Sequence, residues 1–493
     1  MQKKQTILVV ASLLVVVLSV TLAYFTAQII GKGKDVSVSS ADLKIIFTDS
    51  DGAISGSNIE PGWSDTKTFT VENNSKSEYK YNIVIKDLLN TFVTNGYLQY
   101  KITSTNGGYN MTEFKDVPKS SVATDTILAY SVVIPNGVTQ SYTIEFKYAN
   151  DESVDQSDDM GKKLSGKLFI TEGTEDPNKT LYNQLLADKS TVLTRTDFSK
   201  VLTDNNTKTL YTSTEDSKTV YYFAGNATDN WVKFGKNASN QDLYWRIIRT
   251  NSDGGVRLLY HGTSTTATDA YIRTSTFNSS YNNIAYVSYM YGNLGSVANA
   301  RENTTDSTIK TIIDNWYKDN LNTNYGKYLS TTAVYCNDRS TSDNAYFGAY
   351  TRLITNKTPS YDCAATEDKF TVDSTVGNGK LTYPIALMTA DEVSFAGGVY
   401  GTNAPTWYYY NSANGSSTGS TWWWLLSPNF WDGSRAGVFF VGGSSFPGSF
   451  SGDYVGNTGN VRPVISLKSC IKYSTGNGSA SDPYTIKETS SGC

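Results

Sequence analysis

The chain has 493 residues, a formal net charge of -4 and a hydrophobic content of 39% that includes 35 Tyr, 19 Phe and 9 Trp. Such a length predicts two or three domains, the aromatic content favours β structure, and the slightly acidic balance excludes a nucleic-acid partner held mainly through its phosphates. A single histidine rules out zinc sites built from several imidazoles and confines any imidazole acid–base scheme to His261.

In chain order, Lys3 and Lys4 precede an apolar run from Ile7 to Ala23, and Thr21-Leu22-Ala23 places small residues where a signal peptidase cuts. Residues 1–27 read as a signal peptide in preference to a retained membrane anchor, since the run is slightly short for a bilayer span. Either way the remainder is expected outside the cytoplasm or at the cell surface. Membrane contact is expected only through this segment.

Residues 36–171 carry short alternating runs between polar turns: Ala41–Phe47, Thr66–Glu72, Tyr79–Asp87, Tyr97–Ser104, Ile127–Ile134, Ser141–Tyr148 and Lys163–Thr171. Pro61-Gly62 and Pro135-Asn136-Gly137 supply turn chemistry, because Pro pre-sets φ and Gly accepts φ > 0. The pattern predicts an antiparallel β-sandwich. The carboxylates of Asp151, Glu152, Asp155, Asp158 and Asp159 are of the type calcium takes. They lack the spacing and glycine of a calcium loop, so a solvated turn is the reading and no metal site is expected.

The segments TLAYFT, ADLKIIFTDSDG, EPGWSDTKTFTVENNSKSEYKYNI, IPNGVTQSYTIEFKY and GKKLSGKLFI carry a resemblance to the biofilm-fibre and camelysin-like secreted proteins of Gram-positive bacteria. It covers roughly Leu22 to Thr171 and implies an exported β-sandwich, in some members a fibre subunit. Protease activity attached to some relatives does not carry over, for the chain has no HExxH motif.

Residues 172–218 read as a helix and linker. KTLYNQLL (Lys179–Leu186) has helical character, and the stretch to Lys218 has little apolar periodicity. From 219 to 486 the chain turns aromatic and β-branched again, in VYYFAG, NWVKF, LYWRIIR and GVRLLYHG. Ile309, Ile312, Ile313, Trp316, Tyr317 and Leu321 recur at helical spacing after a candidate cap, Ser307. Thr389 and Glu392 form a capping box for a second helix, Thr389–Ala396, which Gly397-Gly398 ends. A hydrophobic strand, Val461–Leu467, closes the unit before a tail at 487–493.

The blocks YYFAGN, NWVKFG, LYWRIIRTNSDGGVRLLYHG, VYCNDRS, GNGKLTYPIALMTADEVSFAGG, WWWLLSPNF, NVRPVISLKSC and GSASDPYTI occur in that order. Together they resemble a widespread family of exported Gram-positive proteins with a C-type-lectin-like fold. That fold is shared with formylglycine-generating enzymes and with the variable proteins of diversity-generating retroelements. The fold class expected is therefore mainly β with some α: an N-terminal antiparallel β-sandwich and a C-terminal α+β C-type-lectin-like domain. Fold alone does not choose a function.

The recognition surface is expected around Trp407, Tyr408, Tyr409 and Tyr410 and between the tryptophan trio Trp422–Trp424 and Arg462. Large aromatics mixed with Ser, Gly and Asn give contact area at low entropy cost. The ligand-binding candidates beyond the tyrosine loop are Trp422, Trp424, Phe430, Trp431, Asp432, Ser434, Arg435, Ser445, Phe446, Phe450, Asp453, Tyr454 and Asn457. In a strand, neighbours alternate, so one or two of the three tryptophans belong to the core, with Trp423 opposite to Trp422 and Trp424. The Gly- and Ser-rich middle of the segment is expected to be exposed. The retroelement resemblance implies that positions within 429–457, Ser444 and Ser449 among them, are of the kind that is diversified.

Arg462 is expected to pair with a carboxylate beneath the loops, Asp391 and Glu392 to serve the helix cap, and His261 to sit at a strand end. Four cysteines permit three connectivities. Cys336–Cys363 and Cys470–Cys493 are the simplest, although Cys493, the last residue, also fits a frayed or intermolecular thiol. Such loops would each stabilise by roughly 3–4 kcal/mol.

The expected function is a non-catalytic, adhesin-like extracellular protein. Its partner would be a glycan or protein on a cell, phage or host surface, with no cofactor. Self-assembly of the sandwich as a fibre subunit is the alternative. An exported enzyme of the formylglycine-generating-enzyme-like fold is a further one, requiring convergent carboxylates or reactive thiols.

Overall fold

The computed structural model describes residues 36–40, 43–49, 54–55, 59–111, 113–177, 179–204, 206–268, 270–341, 345–404, 422–443 and 446–493. The protein is mainly β, with 40% strand and 14% helix. It divides into two units, Met1–Pro177 and Asn178–Cys493. The leader lies outside the described residues, among which no helix is long and apolar enough to cross a membrane.

The first unit holds two antiparallel sheets. One orders its strands Val36–Ser40, Leu43–Asp49, Ser64–Asn73, Thr139–Tyr148, Leu98–Ser104 and Lys115–Asp116. The other runs Ile54–Ser55, Leu164–Glu172, Tyr79–Asn90 and Ser120–Ile134. Period-two alternation explains the burial: in Thr139–Tyr148 every second side chain is buried, from Gln140 to Tyr148. Phe69, Val71, Ile144 and Phe146 of the first sheet join Ile83, Ile85, Leu168 and Ile170 of the second in one core. Inside it, the hydroxyls of Tyr81 and Tyr142 meet at 2.5 Å, and Tyr81 donates to Gln140 Oε1 at 2.6 Å, so the buried polar atoms are satisfied. Within the acidic stretch, two carboxylates bond to the chain itself. Asp159 accepts from the amides of Val93 and Thr94 and from the Tyr148 hydroxyl, while Asp151 accepts from Ser153 and Tyr97.

The second unit is built on a large sheet. Its path runs Thr191–Thr194, Thr209–Glu215, Lys218–Tyr222, Asp242–Thr250, Trp231–Lys236, Tyr484–Ile486 and Tyr473–Thr475. Val256–Gly262 branches from Asp242–Thr250 and pairs with Pro463–Leu467, which in turn pairs with Ile385–Leu387. The helix Thr308–Asn320 buries Ile309, Ile313 and Tyr317, and the Ser307 side chain accepts from the Lys310 amide as its cap. The short helix Ala390–Phe395 carries the expected capping box of Thr389 and Glu392. Both nearest-neighbour disulfides are present, Cys336–Cys363 and Cys470–Cys493, so Cys493 is not a loose thiol.

The stretch expected to be a linker is instead part of this unit. Leu181 and Leu185 of the helix Leu181–Asp188 enter the core, and Thr191–Thr194 pairs in parallel with Thr209–Glu215. Periodicity missed it because the strand Thr191–Thr194 is exposed at all four positions and forms a sheet edge. His261 is fully buried next to the end of its strand, edge-on to Trp231 at 4.4 Å.

Candidate functional site

Five strands form a separate sheet in the order Arg273–Thr276, Thr458–Val461, Trp423–Trp431, Ala436–Val441 and Phe450–Tyr454. Its central strand opens with the tryptophans. Trp423 and Trp424 are both fully buried. Trp424 donates its Nε1–H to the Ser275 carbonyl at 2.9 Å, and the Arg462 guanidinium lies 4.8 Å from the Trp423 ring centroid. Trp422, before the strand starts, is half-buried, edge-on to Trp424 at 4.5 Å and to Phe440 at 5.1 Å. Trp424 is therefore core, not surface. Alternation fails to expose either neighbour because both faces of this strand are covered. Arg462 donates to the carbonyl oxygen of Tyr260 from Nε at 3.3 Å and Nη2 at 3.2 Å.

The middle of the segment is less exposed than its composition predicts. Residues 423–429 and 436–439 are buried, and so is Phe450, at 1% exposure, against Phe439 and Tyr400. Two of its glycines serve packing and not looseness. A Cβ on Gly437 would overlap the Phe430 ring, and one on Gly459 would overlap Trp422. These positions admit only glycine because a neighbouring ring lies on the backbone.

Among the described residues of the segment, one cluster of exposed side chains lies at a hairpin. Asp432, Ser434 and Arg435 are exposed at the turn between Trp423–Trp431 and Ala436–Val441. Asp432 Oδ1 accepts from the Ser434 amide and hydroxyl, both at 2.9 Å, and from the Arg435 amide at 2.6 Å. The two backbone amides and the adjacent Arg435 hold the Asp432 carboxyl down at about 2. The Arg435 guanidinium lies 3.8 Å from the Tyr454 ring centroid, within cation–π range, and Tyr454 stands edge-on to Phe430 at 5.4 Å. Trp431, Phe430, Asp453 and Tyr454 are half-buried here, and Asn457 is exposed, its side chain donating to Asp453 Oδ1 at 2.8 Å. Phe446, in the separate turn between Ala436–Val441 and Phe450–Tyr454, is 64% exposed.

Two further contributors come from distant sequence. The Ala436 amide donates to the Tyr281 carbonyl, and Tyr281 is 49% exposed. Tyr346 bridges Phe430, and its ring stacks on Tyr350 at 3.8 Å, which meets Tyr400 at 5.9 Å. The sequence offers no signal for either, since each lies outside the segment and is brought in by backbone pairing. Trp407, Tyr408, Tyr409, Tyr410 and Ser445 lie outside the described residues.

The helix Ala390–Phe395, which packs on the tryptophan strand, carries a cluster of buried ion pairs. Glu392 Oε1 accepts from Arg257 Nη1 at 2.7 Å and Arg249 Nε at 3.0 Å, while its Oε2 accepts from the Thr389 amide at 2.9 Å. Arg249 also reaches Glu215 at 2.7 Å. Arg352 forks onto both oxygens of Asp391 at 2.8 Å and onto Asp338 at 2.8 Å. Burial disfavours ionised Glu392, but Arg257 and Arg249 outweigh it and hold the carboxyl below its ordinary value. Asp391 and Glu392 thus carry buried ion pairs, and Glu392 serves the helix cap as well. Ser427 of the tryptophan strand accepts from the Ala390 amide, coupling that helix to the strand that leads to the hairpin. Among the described residues no group of three or more His, Cys, Asp or Glu is placed to hold a metal ion.

No protein-family model matches the chain, and no curated protein is similar to it.

Proposed function

We propose that this is an exported, non-catalytic binding protein that displays a recognition surface on a C-type-lectin-like second unit, with a β-sandwich as its first. One observation carries the reading. Tyr281, Tyr346, Phe430, Trp431 and Tyr454 gather round a hairpin whose exposed tip is Asp432–Arg435, while the strands behind it are locked into the core. Aromatic area at low entropy cost, next to adaptable polar groups and one arginine, is what contact surfaces use. The ligand class that suits it is a glycan or a protein surface, with ring stacking supplying affinity and Asp432, Ser434 and Asn457 supplying hydrogen bonds. The lectin-like assignment rests on the ordered sequence blocks, and the export on the N-terminal segment. The test is binding of the full chain to glycan arrays and to bacterial and host cells, beside a variant with Arg435→Ala, Phe446→Ala and Tyr454→Ala. Loss of binding with unchanged circular dichroism supports the reading; undiminished binding by the variant moves the site elsewhere.

A second reading, a subunit of an extracellular fibre, has its own observation. The strand Ser120–Ile134 lies at the edge of its sheet, and Val122 on it is 71% exposed. An open edge is a template for pairing with another strand. Concentration-dependent fibres from the full chain would favour this reading; a monomer at high concentration would count against it.

A further inference from the structure

Lys189 follows the helix Leu181–Asp188 and points its amine into the protein. Its side chain is 0% exposed and that of Asp229 is 5% exposed, with Nζ 2.7 Å from Asp229 Oδ2. The rings of Phe223 and Tyr484 wall the amine, their centroids 5.3 and 5.7 Å away. Nζ also donates to the Asp229 backbone carbonyl at 3.1 Å and to Tyr484 Oη at 3.4 Å. Tyr484 in turn donates to Asp188 Oδ2 at 2.6 Å, and Asp188 is half-exposed. Asp229 Oδ2 accepts a second bond, from the Lys208 amide at 2.9 Å, whereas Oδ1 is buried with no hydrogen-bond partner among the described residues.

As an ion pair this arrangement leaves one carboxylate oxygen desolvated and unpaired, which is costly. We propose that Lys189 and Asp229 condense into an intramolecular isopeptide bond. The Nζ–Cγ bond forms and the Cγ–Oδ1 bond breaks. Two protons of the ammonium leave with Oδ1 as water, so charge and atoms balance without oxidant or cofactor. The retained Oδ2 becomes the amide oxygen and keeps the Lys208 amide as its donor. The single N–H left on Nζ faces the Asp229 carbonyl and Tyr484 Oη. Every polar atom then has a partner, and the atom lost is the one that had none.

The chemistry is prepared by the site. Desolvation lowers the amine's proton affinity against the opposing pull of Asp229, which favours the neutral nucleophile. Fixed contact between the two groups replaces a bimolecular encounter. The chain from Nζ through Tyr484 to half-exposed Asp188 is a path by which Nζ sheds a proton before attack and recovers it in the tetrahedral adduct, where Nζ and Oδ1 share Cγ and the two protons pass from one to the other. Tyr484 comes from the strand Tyr484–Ile486, which pairs with Trp231–Lys236 immediately after Asp229, so the relay is complete only when the C-terminal strand has docked.

Tryptic digestion and mass spectrometry of the full chain test this directly. The expected result is one branched peptide pair joining Lys189 to Asp229, lighter than the sum of its parts by one water, with no cleavage after Lys189. Recovery of both residues in separate linear peptides would overturn the bond. Lys189→Ala and Asp229→Ala should each abolish the branched species; a water loss that survives either change arises elsewhere and also overturns it. Tyr484→Phe, which keeps the ring, should leave most of the chain unlinked, and full linkage in that variant would overturn the relay.

Discussion

Two arginine–carboxylate groups in the second unit use the same chemistry to opposite ends. At the hairpin tip, Arg435 and Asp432 lie 3.3 Å apart, with side chains 46% and 31% exposed. In the interior of the same unit, Arg249, Arg257 and Glu392 make bonds of similar length with side chains exposed by 3% or less. Water screens the first pair, so its contribution to stability is small and its groups remain available to a ligand. The second has surrendered its hydration, so each member is intolerable without the others. The first region is expected to accept substitution without loss of the fold, and the second is not.

The sharpest way to break that contrast is at Glu392. Glu392→Gln leaves Arg249 and Arg257 buried beside a neutral group and should destabilise the second unit by about 3–5 kcal/mol in urea unfolding. The linkage has a definite sign. Because the folded-state carboxyl lies below its ordinary value of 4.5, its stabilisation is fully present above that pH and is lost as pH falls through the folded value. The wild-type chain should therefore lose its advantage over Glu392→Gln in acid; a constant difference from pH 7 downward would refute the assignment. Next in size, Gly459→Ala forces a methyl against the Trp422 ring and should cost about 1–3 kcal/mol by the same measurement. Thr389→Ala removes the helix cap and should cost about 1 kcal/mol.

Arg435→Ala should shift the unfolding midpoint by no more than about 0.5 kcal/mol, yet weaken ligand binding by calorimetry. A large stability loss would show that the hairpin is structural after all. Smallest of all, the Asp432 carboxyl carbon should titrate near pH 2 by NMR, leaving the tip charged through any physiological range. Titration near its ordinary 3.8 would mean that the turn opens in solution.

Local signals in the chain proved readable where the physics is local. Helix caps at Ser307 and Thr389 depend on residues three apart, and alternation in Thr139–Tyr148 depends on residues two apart. The tryptophan trio was harder, since a strand covered on both faces has no outward side for alternation to reveal. Gly437 and Gly459 look like loop residues until the rings of Phe430 and Trp422 are seen lying on them. Glu392 was legible as a cap but not as an ion-pair hub, because Arg249 and Arg257 meet it across 143 and 135 residues of chain. Tyr281 and Tyr346 joined the candidate surface through backbone pairing, which no composition announces.

The placement of Pro463–Leu467 also governs the timing of assembly. That strand fills the gap between Val256–Gly262 and Ile385–Leu387, and Tyr484–Ile486 then lies against Trp231–Lys236. Contacts so distant along the chain form slowly, because long loops must close before they are rewarded. Until Pro463–Leu467 is made, Val256–Gly262 is paired on one side only, by Asp242–Thr250. The second unit therefore completes its native pairing late, and a chain truncated before Pro463 would expose the open edge of the apolar strand Val256–Gly262 to association with other chains.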